Sequence, residues 1–198
     1  MPSNFRIPKA ELTGPYARVL KIFARRTFGE IPDAAYTMGH HKPMLKAVMG
    51  FEGKVSKWKE LDPSLSCYAQ LATAAVIGCS WCLDFGYFMA HNDGLALEKV
   101  REVPRWRESD VFTPLERAVL EYAEAMTVTP PTVTDEMVAH LNEQLGTKAV
   151  VELSMMVAIE NERSRFNSAL GLASQGFSDR CELAPLAVAT SPVRSSGL

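Results

Sequence analysis

Cys79 and Cys82 lie in IGCSWCLDFGYF, residues 77–88, one of the least charged stretches of the chain. On a helix, residues three apart stand about 60° apart around the axis, so the two thiols can meet across one turn. That spacing suits a dithiol centre, because the second thiol must reach a sulfenic acid or mixed disulfide formed on the first. A cysteine at a helix start also gains from the unpaired amides and the dipole, which favour its thiolate. Two other readings fit the spacing: half a zinc site, or two small apolar residues in a core. Zinc needs four ligands. Cys67 could be a third, but no second CxxC or HxxxH supplies a fourth, and His91 projects about 180° from Cys82. A thioredoxin-like site would place the pair after a strand in a βαβ pattern, whereas this one falls between helices. Spacing alone leaves the redox, metal and core readings standing.

The elements that must position the pair are all helical, since hairpin-flanked alternation is absent and helix punctuation recurs. A first helix fits Tyr16 to Phe28 and a second Met44 to Lys59. Asp62-Pro63 supplies an N-cap and first turn for a helix over about 63 to 77, which Gly78 ends. The cysteine helix starts near Cys79-Ser80 and stops at Asn92-Asp93-Gly94. Thr113-Pro114-Leu115-Glu116 is a capping box, after which Leu115, Val119, Tyr122, Ala123 and Met126 share a face. Thr134 or Asp135 caps a short helix, and a long one follows over about 148 to 172. From Ser174 the periodicity fades. The expectation is one all-α domain over 1–175 and an extended arm or tail over 176–198.

Composition narrows the function classes. Hydrophobic residues make up 47% and charged residues 22%, the balance of a soluble globular chain. With a net charge of −2 and scattered Lys and Arg, there is no basic cluster for nucleic acid. Residues 65–83 carry no charge over 19 positions, long enough to span a bilayer. Their Ala, Ser, Thr and Gly content, Gln70 and the Gly78–Cys79 break point instead to two buried helices. MPSNFRIPKAEL lacks the apolar core of a leader, so a reducing cytoplasmic location is expected. In that compartment CxxC reads as catalytic or metal-binding.

The run LATAAVIGCSWCLDFGYFMAHNDG, residues 71–94, resembles the core of the AhpD-like alkylhydroperoxidase/carboxymuconolactone decarboxylase family. The segment from Phe112 to Leu172 looks like the downstream helices of its larger members, in a variant marked by CLDFG. The resemblance implies an all-α, oligomerising fold. It also implies Cys82 as the attacking thiol and Cys79 as the resolving one, with no metal or organic cofactor. A small hydroperoxide or disulfide is the implied substrate, and a dithiol protein the electron donor. The family places a Glu twelve residues before the first cysteine and a His four after the second, as a proton relay. Here those positions are Cys67 and Gly86.

The expected function is therefore a thiol–disulfide oxidoreductase and weak alkyl hydroperoxide reductase, acting as a homo-oligomer. A decarboxylase-like lyase is the alternative, against which the CxxC argues, as is a non-catalytic binding or scaffold protein. Cys67 reads as a third redox thiol or as core, Gly86 as an opening beside Cys82 or a close helix contact, and Trp81 as a pocket wall or packing. Asp84, about 160° from Cys82, reads as a cap, a subunit contact or an Arg partner. His40-His41 reads as a metal pair or, better, as a helix end, since no carboxylate or Cys shares helical spacing with it. Glu160, Glu162, Arg163 and Arg165, beside Asn161 and Asn167, form a charged patch suited to a solvated face or a subunit boundary.

A CxxC without its relay loses the roughly 10²–10⁴-fold that positioned proton transfer contributes. Hydroperoxide consumption with a dithiol donor should accordingly be slow at neutral pH and rise with pH as the attacking thiol ionises. A fast rate at pH 7 that is flat with pH would show that another group moves the proton.

Overall fold

The computed structural model describes residues 3–181. Among them there is no strand. Nine α-helices follow in order: α1 (Pro15–Phe28), α2 (Asp33–Met38), α3 (Lys42–Val55), α4 (Pro63–Ile77), α5 (Ser80–Asn92), α6 (Leu97–Val100), α7 (Pro114–Thr127), α8 (Asp135–Leu145) and α9 (Thr147–Ala169). Short 3₁₀ segments occupy Val103–Glu108, kinked at Arg105, and Ser178–Arg180.

The caps read from the sequence hold these helices. Asp62 accepts the N–H groups of Ser64 and Leu65 at the start of α4. Thr113 and Glu116 complete a reciprocal box at α7, and Lys99 donates to Glu116 at 2.8 Å. His41 Nδ1 accepts the N–H of Met44, which makes it the N-cap of α3. α3 starts two residues before the expected Met44 and ends at Val55 rather than Lys59. The short α2, α6 and the first 3₁₀ turn were not expected, because four to six residues are too few to show a 3.6-residue period.

α4 is the central helix and packs on α5, α7 and α9. Its buried Leu65, Tyr68, Ala69, Leu71 and Ala72 meet Val119, Leu120 and Ala123 of α7 and Leu153 and Val157 of α9. The uncharged 65–83 stretch is thus core, and among the described residues no helix is long and apolar enough to cross a membrane. A second apolar cluster gathers Ala74, Cys79, Trp81, Cys82, Phe88, Leu172 and Phe177.

The segment after α9, where the expected arm begins, folds back on the helices. Residues 174–181 are packed against α5, with Phe177 fully buried. The cause is Asp84, itself 4% exposed. Its Oδ2 accepts the backbone N–H groups of Gln175, Gly176 and Phe177 at 2.9–3.1 Å. Its Oδ1 accepts both N–H and O–H of Ser178 at 2.8 and 2.7 Å. Asp84, read from the sequence as a cap, a subunit contact or an Arg partner, instead anchors residues 175–178 from across the fold. Residues 182–198 of the expected arm lie outside the described residues.

Burial alone would raise the Asp84 carboxyl, but the bonds from Ser178 and Phe177 outweigh it and hold it below the usual carboxylate range. Its stabilisation is therefore present above the unfolded-state value and lost as pH falls through the lower folded one. Asp84→Ala leaves buried N–H groups unpaired and should cost roughly 3–5 kcal/mol in urea unfolding. Limited proteolysis should then cut first within 174–181. A variant as stable and as resistant as wild type would remove the anchoring role.

Candidate redox site

Gly78 ends α4 in the left-handed region at φ 79°. Its N–H and that of Cys79 both return to the Ala74 carbonyl. This turn delivers Cys79 to the N-cap of α5, where its Sγ accepts the N–H of Cys82 at 3.2 Å. The two sulfurs lie at disulfide distance, and their Cα atoms are 5.3 Å apart, inside the ordinary range for a bridge. Cys79 is 1% and Cys82 7% exposed. Gly78 and Ser80 on either side of Cys79 are exposed, so the pair sits just beneath the surface.

Aromatic rings wall the site. Trp81 stacks on Phe85 at 5.0 Å, and Phe177 meets Phe85 edge-on at 5.2 Å. Trp81 Nε1 donates to Gln175 Oε1 at 3.0 Å. The same oxygen accepts the N–H of Asp33, and Gln175 Nε2 donates to Glu30 and to the Ile31 carbonyl. Trp81 thus packs against the terminal segment and, through Gln175, is tied to the start of α2.

The two positions where the resemblance puts a relay are occupied differently. A Cβ on Gly86 would stand 2.9 Å from Leu71 Cδ2. Leu71 is buried, so Gly86 is where α5 approaches α4 closely, and a histidine there would have to displace that side chain. Cys67 packs at the edge of the main core, whereas Cys79 and Cys82 belong to the second cluster. The residue is partly exposed, but burial of its thiol, helped by Asp93, pushes it up to about 12. Such a thiol stays protonated. Cys181, given no role by the sequence, packs against both clusters, and burial together with Asp84 shifts its thiol upward.

Asn167, read from the sequence only as a neighbour of the charged patch, reaches the site. It is 2% exposed, and its Nδ2 donates to Cys82 Sγ at 3.4 Å. Glu160, Ser164 and Asn167 fall at i, i+4 and i+7 of α9 and are all buried. A buried polar row on a core helix is a signal the sequence did carry.

The charged patch on α9 resolves into a network within the chain. Arg163 donates to both oxygens of Glu52 on α3 at 2.8 and 2.5 Å. It also reaches Gln70 of α4 at 2.9 Å and Glu160 at 3.4 Å. Ser164 Oγ donates to Glu160 Oε1 at 2.7 Å. Among the described residues no group of three or more His, Cys, Asp and Glu could hold a metal ion. A groove of about 200 Å³ beside α1 and the start of α3, lined by Leu12, Tyr16, Leu45 and Lys46, includes none of the cysteines.

Residues 42–125 match the Carboxymuconolactone decarboxylase family. The chain is also 31% identical over 154 residues to the uncharacterized protein YnjA of Escherichia coli K12, covering 77% of this chain and 85% of that one. The chain belongs to this family. Among solved structures of this carboxymuconolactone decarboxylase fold, an AhpD-core, peroxidase-related protein from Ralstonia eutropha JMP134 superposes with a TM-score of 0.74 at 19% identity, covering 87% of this chain and 94% of that one. The debrominase Bmp8, as a cysteine-to-alanine variant bound to 2,3,4-tribromopyrrole, superposes at 0.77 and 19% identity, covering 88% and 95%. At these identities the likeness shows the AhpD-like fold.

Burial pushes Glu160 up to about 7, against the pull of Arg163 and Ser164. An acid with a raised native pKa binds its proton more tightly when folded. The stability it confers is complete below its unfolded value and is lost as pH rises to about 7. Glu160→Gln should therefore flatten the fall in unfolding free energy between pH 5 and 7.5, read by urea titration. Parallel curves for the two proteins would place the titration elsewhere.

Proposed function

We propose that Cys79 and Cys82 form a reversible dithiol–disulfide centre that reduces small oxidants, hydroperoxides first among them. The observation that supports this is two sulfurs at disulfide distance on the first turn of α5, with Asn167 donating to Cys82. In this reading the Cys82 thiolate attacks the terminal oxygen of a hydroperoxide, giving Cys82 sulfenic acid and an alkoxide that takes up a proton to leave as alcohol. Cys79 then attacks the sulfenic sulfur, water leaves, and the disulfide closes. Cys82 suits the attacking role as the less buried of the two. A dithiol protein in a reducing cytosol would return the pair to its thiols.

The likeness to a debrominase favours a second oxidant class, a bromoarene. The same two electrons would convert a carbon–bromine bond to carbon–hydrogen, releasing bromide and a proton and leaving the disulfide. We also read the protein as a homo-oligomer. α1 buries only Ala17 and Ala24 and exposes Tyr16, Val19, Ile22 and Phe23, an apolar face that a second copy would cover.

Mild oxidation should link Cys79 to Cys82, and a dithiol should restore both, as read by peptide mass spectrometry. Cys82→Ser should abolish hydroperoxide turnover. Cys79→Ser should accumulate a sulfenic acid on Cys82, trapped with dimedone. A trapped adduct on Cys79 in the Cys82→Ser protein, with turnover retained, would reverse the roles. Thiols inert to both hydroperoxide and bromopyrrole would overturn the reading.

A further inference from the structure

The relay positions that the resemblance implies hold Cys67 and Gly86: Cys67 packs on the other core cluster, and Gly86, which has no side chain to offer, lies against Leu71. The polar group that does reach the sulfur comes from α9. Asn167 Nδ2 donates to Cys82 Sγ at 3.4 Å. Its other amide atom is the informative one: Asn167 Oδ1 is buried and has no hydrogen-bond partner among the described residues. Buried amide oxygens are nearly always satisfied, and one left open next to a reactive sulfur marks a place where a donor belongs.

A hydroperoxide carries such a donor. Its terminal oxygen, the atom a thiolate attacks, bears the only O–H of the peroxide group. An amide beside the sulfur offers an N–H to the thiolate and a carbonyl to that O–H, which orients the terminal oxygen toward the sulfur. Ser164 is already committed to Glu160 and cannot fill the position from its own side. Among charged and titratable groups, Asp84 on α5 is committed to residues 175–178. Cys181 packs on the same cluster from the terminal segment. Glu160, two turns away on α9, is engaged by Ser164 and Arg163.

Resting on the proposed function, we propose that Asn167 is a catalytic residue of the Cys82 centre: its N–H stabilises the Cys82 thiolate and its free carbonyl receives the terminal O–H of the hydroperoxide. The oxygen–oxygen bond breaks as the sulfur–oxygen bond forms. The alkoxide takes the proton released when the thiol ionised, and the new sulfenic O–H stays on Oδ1 until Cys79 displaces it as water. Asn167 thus does part of what the absent His would do, by dipole rather than by proton exchange.

The test uses Asn167→Leu, which keeps the volume and removes both polar atoms, and Asn167→Asp, which keeps the shape and puts a negative charge beside the sulfur. Urea unfolding first establishes that each is folded. Two readouts follow: the pH profile of Cys82 alkylation, followed on its own peptide, and kcat/KM for cumene hydroperoxide. A small disulfide serves as a comparison oxidant without an O–H. Both variants should move the alkylation profile to higher pH. Both should lose roughly a hundred- to a thousandfold in hydroperoxide kcat/KM, the scale of a lost preorganised donor. Exchange with the small disulfide, compared at equal thiolate fraction, should fall less. Unchanged alkylation profiles with hydroperoxide rates within twofold of wild type would overturn the proposal. Equal losses toward both oxidants would overturn the carbonyl's part in it. A wild-type protein inert to hydroperoxide would overturn the functional reading instead, while the alkylation profile would still decide whether Asn167 holds the thiolate.

Discussion

The arrangement around the cysteines depends on one buried carboxylate. Asp84 carries its charge into the second apolar cluster and accepts four consecutive backbone N–H groups and one hydroxyl from residues 175–178. A carboxylate buried without such partners would be neutral or would unfold its surroundings. With them it fixes the chain after α9 across α5. Phe177 is thereby set against Phe85 and Phe88, and Gln175 is placed to join Trp81 to the α2 start. The N-terminal segment completes this side: Asn4 and Arg6 donate to the carbonyls of Gly171 and Leu170. Gly171, at φ 77°, leaves room for that approach, since a Cβ there would collide with the Asn4 carbonyl.

Within this frame the chemistry is concentrated at a helix start. The left-handed Gly78 breaks the 65–83 stretch at the one point where a thiol is then presented to free amides. Cys79 uses the N–H of Cys82, and Cys82 uses Asn167. Each sulfur thus has one donor, from the backbone in one case and from a side chain in the other. The network of Arg163, Glu52, Gln70 and Glu160 ties α3 and α4 to the same helix that carries Asn167. α9 is thereby tied to both helices one turn before Asn167.

Much of this was legible in the sequence because capping is local. Asp62-Pro63, Gly78, Thr113-Pro114 and Thr134 each act within a few residues: α4, α7 and α8 begin at those caps, and α4 ends at Gly78, just before the cysteine helix α5. The cysteine pair was legible for the same reason. What could not be read were contacts made across the fold. The bonds of Asp84 lie 91 to 94 residues away, so its segment looked like the start of a tail. Asn167 is 85 residues from Cys82 and resembled any polar residue beside a charged patch. Gly86 had two readings that no spacing could separate, and the nearness of Leu71 decided between them.

The central claim is that two electrons leave this protein through one pair of thiols. A single-turnover experiment tests it most directly: fully reduced protein is mixed with a sub-stoichiometric amount of cumene hydroperoxide, and alcohol formed and thiols lost are counted together. The account predicts one alcohol and two thiols lost per peroxide, with Cys79 and Cys82 as the lost pair and Cys67 and Cys181 still alkylatable once the protein is denatured. Alcohol formed with Cys79 and Cys82 both still free, or losses spread evenly over the four cysteines, would contradict it.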